Sequence, residues 1–110
     1  MAETFSRTVD GHQIAQALEK WRERLKQDPN SAEAHYAIGL TYLNGKLRDQ
    51  AIDHLRQAAE IVPEVADIHY TLGIALFNDG DHTYEEEAEA MREMGMAATL
   101  APDFRDAAAY

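Results

Sequence analysis

Two histidines, His35 and His69, lie 34 residues apart and raise the question of a metal site, because imidazole is a common metal ligand. If they occupy equivalent places on stacked helices, the two positions are separated by about 8–10 Å or more. That distance is too great for two ligands of one ion unless the side chains converge. We therefore expect both histidines to be packing residues, and we predict no metal site and no cofactor.

Carboxylates surround a third histidine between residues 79 and 89. We interpret His82 with Glu85 or Glu86, and Asp79 with Asp81, as loop and helix-cap residues, since the spacing of a calcium loop is not met. The acidic run that follows lies at a predicted helix start, where it lacks the burial that acid–base catalysis requires. The sequence also has no nucleophile elbow, glycine-rich phosphate loop or paired-histidine motif. We predict no catalytic residue and no enzymatic activity.

The elements that carry these residues repeat along the chain. Pro29 and Pro63 are 34 residues apart, and a shift of 34 aligns similar residues over a whole segment. This shift superimposes Ala32, Glu33, His35, Tyr36, Ile38, Gly39, Leu40, Leu43 and Asn44 on Ala66, Asp67, His69, Tyr70, Leu72, Gly73, Ile74, Phe77 and Asn78.

A second block precedes each of the three prolines, the last being Pro102, and its apolar residues recur at spacings of three and four. Each unit is therefore predicted to be a helix pair, with turns at Asn44-Gly45 and at Asp79-Gly80. No segment alternates with period two, so we predict no strand. The second-block residues are Ala17, Leu18 and Trp21; Ala51, Ile52, Leu55 and Ala58; and Ala90, Met91, Met94 and Ala97.

Capping-box patterns mark the predicted helix starts. They pair Asp10 with Gln13, Asn30 with Glu33, and Thr83 with Glu86.

The composition restricts the possible partners. Apolar residues make up 45% of the 110 residues, cysteine is absent, and the net charge is -10. Residues 64–110 carry eleven acidic and two basic side chains, a balance that repels phosphate backbones, so we predict no nucleic-acid partner. No stretch approaches the roughly 20 apolar residues of a membrane span. We predict no membrane partner and expect a cytoplasmic protein.

The repeated residues resemble the tetratricopeptide repeat (TPR) family. Its first helix favours an aromatic residue, a Leu-Gly pair and a Tyr, whose places here hold His35, Ile38-Gly39 and Tyr42, and then His69, Leu72-Gly73 and Leu76. Its second helix favours Ala, an aromatic residue, Ala and a closing Pro. Those places hold Ala51, Leu55, Ala58 and Pro63, and then Ala90, Met94, Ala97 and Pro102.

The resemblance implies an all-α fold of TPR-type α-hairpin repeats in a short right-handed superhelix, forming one domain over residues 1–110. We divide the chain into an N-terminal tail (1–11), an orphan second-type helix (12–28), repeat 1 (31–63), repeat 2 (65–102) and a truncated terminal helix (103–110). Because Pro63 and Pro102 are 39 residues apart, repeat 2 contains a five-residue insertion, which we place between Gly80 and Glu89 and expect to lengthen the second helix.

In TPR proteins the first helices line a concave groove that holds a protein or peptide. The equivalent residues here are apolar and aromatic, with carboxylates at one end and paired amides at the other, and include no Lys or Arg, so a clamp for a chaperone C-terminal carboxylate is not available. We predict an adaptor or scaffold that binds an apolar or basic segment. By position, the groove residues are Glu33, Tyr36, Ala37, Leu40, Leu43, Asn44, Asp67, Tyr70, Thr71, Ile74, Phe77 and Asn78.

The alternative is a self-assembling module, a homo-oligomer whose ends or groove are filled by another copy or by its own terminal segment. The charge asymmetry between the two ends motivates it. In this hypothesis a locally basic N-terminal helix docks on an acidic, Met-rich end. The residues concerned are Trp21, Arg22 and Lys26 at one end, and Met91, Met94 and Met96 at the other.

Overall fold

A computed structural model describes residues 11–77 and 82–101, which form five α-helices and, within those ranges, no strand. The helices are α1 (Gly11–Gln27), α2 (Ala32–Asn44), α3 (Arg48–Ile61), α4 (Ala66–Leu76) and α5 (Tyr84–Leu100). The predicted all-α fold of helical repeats is confirmed. The Asp10 cap, Asn78, the Asp79-Gly80 turn and the segment 103–110 lie outside the described residues.

Polar side chains cap the starts of α2 and α5, whereas the N-caps of α3 and α4, Leu47 and Val65, make no side-chain cap hydrogen bond. Thr83 and Glu86 form the predicted capping box, with Glu86 N–H donating to Thr83 Oγ1 at 3.1 Å and Thr83 N–H donating to Glu86 Oε1 at 2.9 Å. The predicted box of Asn30 with Glu33 is wrong. Ser31 is the N-cap of α2, because its extended backbone brings its hydroxyl within 3.2 Å of the Ala34 N–H.

The connection between α2 and α3 confirms the predicted turn but assigns its residues differently. Lys46, not Gly45, has the positive φ, 64°. Its N–H donates to the Leu43 carbonyl, and the Leu47 N–H donates to the Tyr42 carbonyl, the pattern of a Schellman motif. A Cβ at Gly45 would lie 2.6 Å from Ile14 Cδ1 of α1, so the Ile14 side chain would have to shift.

Each helix packs against its neighbours in the chain, most extensively within the pairs α2–α3 and α4–α5. The predicted close approach within these pairs is confirmed. A Cβ at Gly39 would lie 2.7 Å from Leu55 Cγ, and one at Gly73 would lie 3.0 Å from Met94 Cγ. The central core cluster consists of Ala51, Ile52, Leu55, Leu72, Ala75, Leu76 and Ala90.

Arg48 joins three helices, a role that the repeat pattern does not indicate. From the start of α3 it donates to the carbonyls of Ala75 and Leu76 at the end of α4, both at 2.8 Å. It also pairs with Glu86 of α5 at 3.0 Å. The last carbonyls of a helix have no partner within the helix, so a cation there satisfies them and interacts favourably with the helix dipole.

The second helices of the two repeats differ in length. Helix α3 has 14 residues and α5 has 17. Both helices end two residues before a proline, Pro63 or Pro102, so the extra turn of α5 lies at its start. Its residues Tyr84 and Glu85 are exposed there.

Candidate peptide-binding groove

Helices α2 and α4 each bury one face and leave part of the other open. On α4, Leu72 and Leu76 are 1% and 0% exposed, whereas Ile74 and Phe77 on the other side are 43% and 50% exposed. Exposing two large apolar side chains close together costs hydration free energy and often marks an interaction surface. The open apolar surface of the predicted groove is therefore concentrated on α4.

The α2 members of the groove are less accessible. Tyr36 and Leu43 are partly buried and pack against the core cluster. Tyr36 also reaches α4, where its hydroxyl lies 3.3 Å from Thr71 Oγ1. Leu40 and Tyr70 are half-buried. Tyr36 thus links α2 to α4, and all four side chains offer only part of their surface for contact.

The polar members lie at the two ends of these helices. Glu33 and Asp67, in the first turns of α2 and α4, are exposed, and so is Asn44 at the end of α2. The predicted groove residues include no Lys or Arg, but Arg24 of α1 lies 3.8 Å from Glu33 and brings a basic side chain next to them. Both side chains are largely exposed, so their pairing is weak and can be exchanged for a basic group of a ligand.

His82 borders the apolar end of the groove. Its ring centroid lies 4.7 Å from that of Phe77, and its Nε2 lies 3.2 Å from Glu87 Oε2. His82 pairs with Glu87 because α5 turns Glu87 toward the loop, while Glu86 binds Thr83 and Arg48. Sequence reasoning missed this neighbour of Phe77, since His82 lies in the insertion and has no equivalent in repeat 1.

The two repeated histidines are buried packing residues. In each case Nε2 donates to the carbonyl of the preceding proline, His35 to Pro29 at 3.2 Å and His69 to Pro63 at 2.7 Å. Their Nδ1 atoms face different partners, His54 at 3.1 Å and Glu93 at 2.5 Å. Both nitrogens of each ring are thus engaged by other residues of the chain. Among the described residues, no group of three or more His, Asp or Glu could hold a metal ion.

The contact between His35 and His54 disfavours a positive charge on both rings at once. Since a carbonyl only accepts, His35 carries its proton on Nε2 when neutral, and its Nδ1 then accepts from His54 Nδ1–H. Protonating both rings would set two N–H groups against each other. Burial lowers the pKa of His54, and the neighbouring His35 and Arg22 lower it further, against an opposing effect of Asp53.

The residues predicted for self-association are only partly available. Arg22 donates to the Tyr42 hydroxyl at 2.8 Å, and Met94 packs against Gly73. Lys26 forms an exposed pair with Glu23 at 3.7 Å, and Lys20 lies over the half-buried ring of Trp21. By contrast, Met91 and Met96 are 68% and 43% exposed. They make up the accessible part of the Met-rich end.

Repeated helix pairs with a shared core define a helical-repeat protein. Two sequence profiles match the chain, one described as TPR repeat over residues 9–45 and one described as Tetratricopeptide repeat over residues 44–92. The chain belongs to the tetratricopeptide repeat family, as its sequence predicts. No curated protein matches the chain significantly. TPR repeats generally mediate protein–protein interactions and typically serve as adaptors rather than enzymes.

None of the described helices combines the length and the apolar character that crossing a lipid bilayer requires.

Proposed function

We propose that the protein is a non-catalytic adaptor that binds an apolar or basic peptide segment along α2 and α4. The observation that carries the proposal is the exposure of Ile74 and Phe77, on the side of α4 opposite the buried Leu72 and Leu76. Helix α4 is apolar on both sides, although only one side is used by the core. The unused side offers contact surface for the apolar side chains of a ligand.

The charges around this surface favour a basic ligand. Glu33 and Asp67 are exposed at the same ends of the two helices, and Asn44 at the other end of α2 can hydrogen-bond a peptide backbone. An acidic segment would meet like charge at Glu33 and Asp67. A segment that combines Leu or aromatic residues with Lys or Arg therefore fits this groove best.

Selection of random short peptides displayed against the immobilised protein tests this proposal. We expect the selected peptides to be enriched in large apolar residues and in Lys or Arg. The double variant Ile74→Glu/Phe77→Ala should bind them about tenfold more weakly or worse, because anchors in a groove carry most of the binding free energy. Met91→Ala, an exposed apolar residue of α5, is the matched control and should leave the affinity unchanged. Equal binding to the double variant would place the ligand elsewhere and contradict the proposal.

Self-assembly is a second candidate function, supported by a different observation. Met91 and Met96 of α5 expose large apolar area at the end of the described stack, outside the two helices of the groove. A surface of this kind suits a contact between copies of the chain.

A further inference from the structure

The exposed face of α5 is equivalent, in the repeat, to the face of α3 that α4 covers. Ile52 of α3 is 4% exposed, because it shares the core cluster with Leu72, Ala75 and Leu76 of α4. The interval of 39 residues between the closing prolines makes Met91 the equivalent of Ile52. Met91 is 68% exposed, and within the described residues no helix follows α5. The open face of α5 therefore has the position that α3 presents to α4.

The charge at this face indicates what can cover it. Arg48 binds the last carbonyls of α4, whereas its equivalent in α5 is Glu87. A carboxylate repels the negative end of a helix unless that end brings its own cations. A helix that lies on α5 as α4 lies on α3 therefore needs basic residues in its last turn.

Helix α1 meets this requirement. It carries Arg24 and Lys26 in its last turn, and none of the other four described helices has a basic residue there. Its Trp21 is the equivalent of Leu55, which is fully buried, but is itself only half-buried because it lies at the open end of the stack. The present partners of Arg24 and Lys26 are exposed carboxylates at 3.8 and 3.7 Å, and such pairs are easily exchanged.

We propose that the chain assembles head to tail, with α1 of one molecule docking on α5 of the next. Trp21 packs on Met91, and Arg24 and Lys26 lie beside Glu87. This inference deepens the second candidate function and rests on it. Because the two contacting surfaces differ, the association is heterologous and extends beyond a dimer unless it closes into a ring.

Pairing of α5 with α5 of another copy is less suitable. A parallel pair would bring Glu85 and Glu87 of both molecules together, which is repulsive. An antiparallel pair would place Glu87 at the partner's last turn, which has no basic residue.

Light scattering and sedimentation of the 110-residue chain test the proposal. We expect the average mass to rise above that of the 12.3 kDa monomer as protein concentration increases. It should fall when salt is raised from about 50 mM to about 500 mM, because the contact pairs exposed charges. A monomer at all concentrations and ionic strengths would refute the proposal.

Two variants separate the two surfaces. Met91→Glu damages the α5 surface, and Arg24→Glu/Lys26→Glu damages the α1 surface, so each alone should weaken association about tenfold or more. In an equal mixture, the Met91→Glu molecules keep an intact α1 surface and the α1-variant molecules keep an intact α5 surface. One such pair of surfaces can still meet, so the mixture should form a dimer and nothing larger. Adding Glu87→Lys to the α1 variant should restore association. Ile74→Glu in the groove is the matched control and should leave it unchanged, with circular dichroism confirming the fold of every variant.

The remaining outcomes also decide between interfaces. Association that survives the α1 variant but is lost in Met91→Glu would show pairing of α5 with itself and overturn the head-to-tail contact. Association that is lost in Ile74→Glu and kept in Met91→Glu would leave self-assembly standing but move it to the groove. Peptide binding by Ile74 and Phe77 is measured separately, so its failure is distinguishable from either result.

Discussion

At the scale of single residues, the two glycines of the first helices have similar positions but different neighbours. A Cβ at Gly39 would lie 2.7 Å from Leu55 Cγ and 2.9 Å from its Cδ2. A Cβ at Gly73 would lie 3.0–3.2 Å from the Met94 side chain. Leucine is branched close to its backbone, whereas methionine has more rotatable bonds and can move aside.

We therefore predict that Gly39→Ala is more destabilising than Gly73→Ala. Overpacking at Gly39 should lower the free energy of unfolding by about 1–3 kcal/mol. At Gly73 the higher helix propensity of alanine, worth about 1 kcal/mol, should offset most of the smaller clash. Urea unfolding followed by circular dichroism measures both, and equal losses would contradict this account of the helix contacts.

The histidine pair makes stability depend on pH. Burial and His35 lower the pKa of His54 below its ordinary value of 6.5, so the unfolded chain takes up a proton more readily than the folded protein. The stability that neutral His54 provides is therefore present above about pH 6.5 and is lost progressively as the pH falls below it. Groups facing this ring include Tyr42 of α2, Asp53 of α3 and Arg22 of α1.

We predict that His54→Gln loses less stability on acidification than the native protein does. Glutamine keeps a hydrogen-bonding group beside His35 but does not titrate. Urea unfolding midpoints at about pH 7.5 and about pH 5.5 give the comparison, since the slope reports the difference in bound protons. Identical slopes in the two proteins would show that His54 does not contribute to the pH dependence.

At the scale of helices, caps and crossing contacts hold the stack together. Helix α2 ends in a Schellman motif, and α5 begins with a capping box, so the end of α2 and the start of α5 have satisfied backbone groups. At the end of α4, the carbonyls of Ala75 and Leu76 accept from Arg48, which comes from the preceding helix.

Removing Arg48 should consequently loosen α4 from both neighbours. We predict that Arg48→Met lowers the free energy of unfolding by about 1.5–3 kcal/mol, because hydrogen bonds from a charged, mostly buried donor to Ala75 and Leu76 are lost. The pKa of Glu86, held low by the Thr83 N–H and by Arg48, should rise in this variant. Arg92→Met, at an exposed arginine of α5, is the control for urea unfolding and should change little. Similar losses in both variants would mean that Arg48 acts only through general charge.

At the scale of the whole molecule, the described helices contact chiefly their neighbours in the chain. Such a stack has two ends, and each end presents a second-type helix whose outer face is not covered within the described residues. The ends also differ in charge, with cations in the last turn of α1 and carboxylates in the first turn of α5. The two proposed surfaces meet at Arg24, which belongs to the α1 end and pairs with Glu33 of the proposed groove.

The sequence by itself determined the helices, their pairing and the inner face of the stack. A 34-residue period with apolar residues at three and four is compatible only with helix pairs, and small residues at Gly39, Gly73, Ala51 and Ala90 identify where the pairs approach. These features are repeated, so each copy reinforces the interpretation of the other. The capping box at Thr83 was predictable for a different reason. A cap is made by residues three apart in the chain, so the local sequence is enough to indicate it.

Only the tertiary structure decided which candidate residues are accessible. Arg48 makes contacts between helices that are distant in sequence, and its equivalents, Ile14 and Glu87, are of different types, so no periodic signal could reveal its role. Burial also differs between apolar residues at equivalent positions of the repeats. Ile52 is covered because a helix follows it, and Met91 is exposed because none follows within the described residues, although both occupy the same place in the repeat.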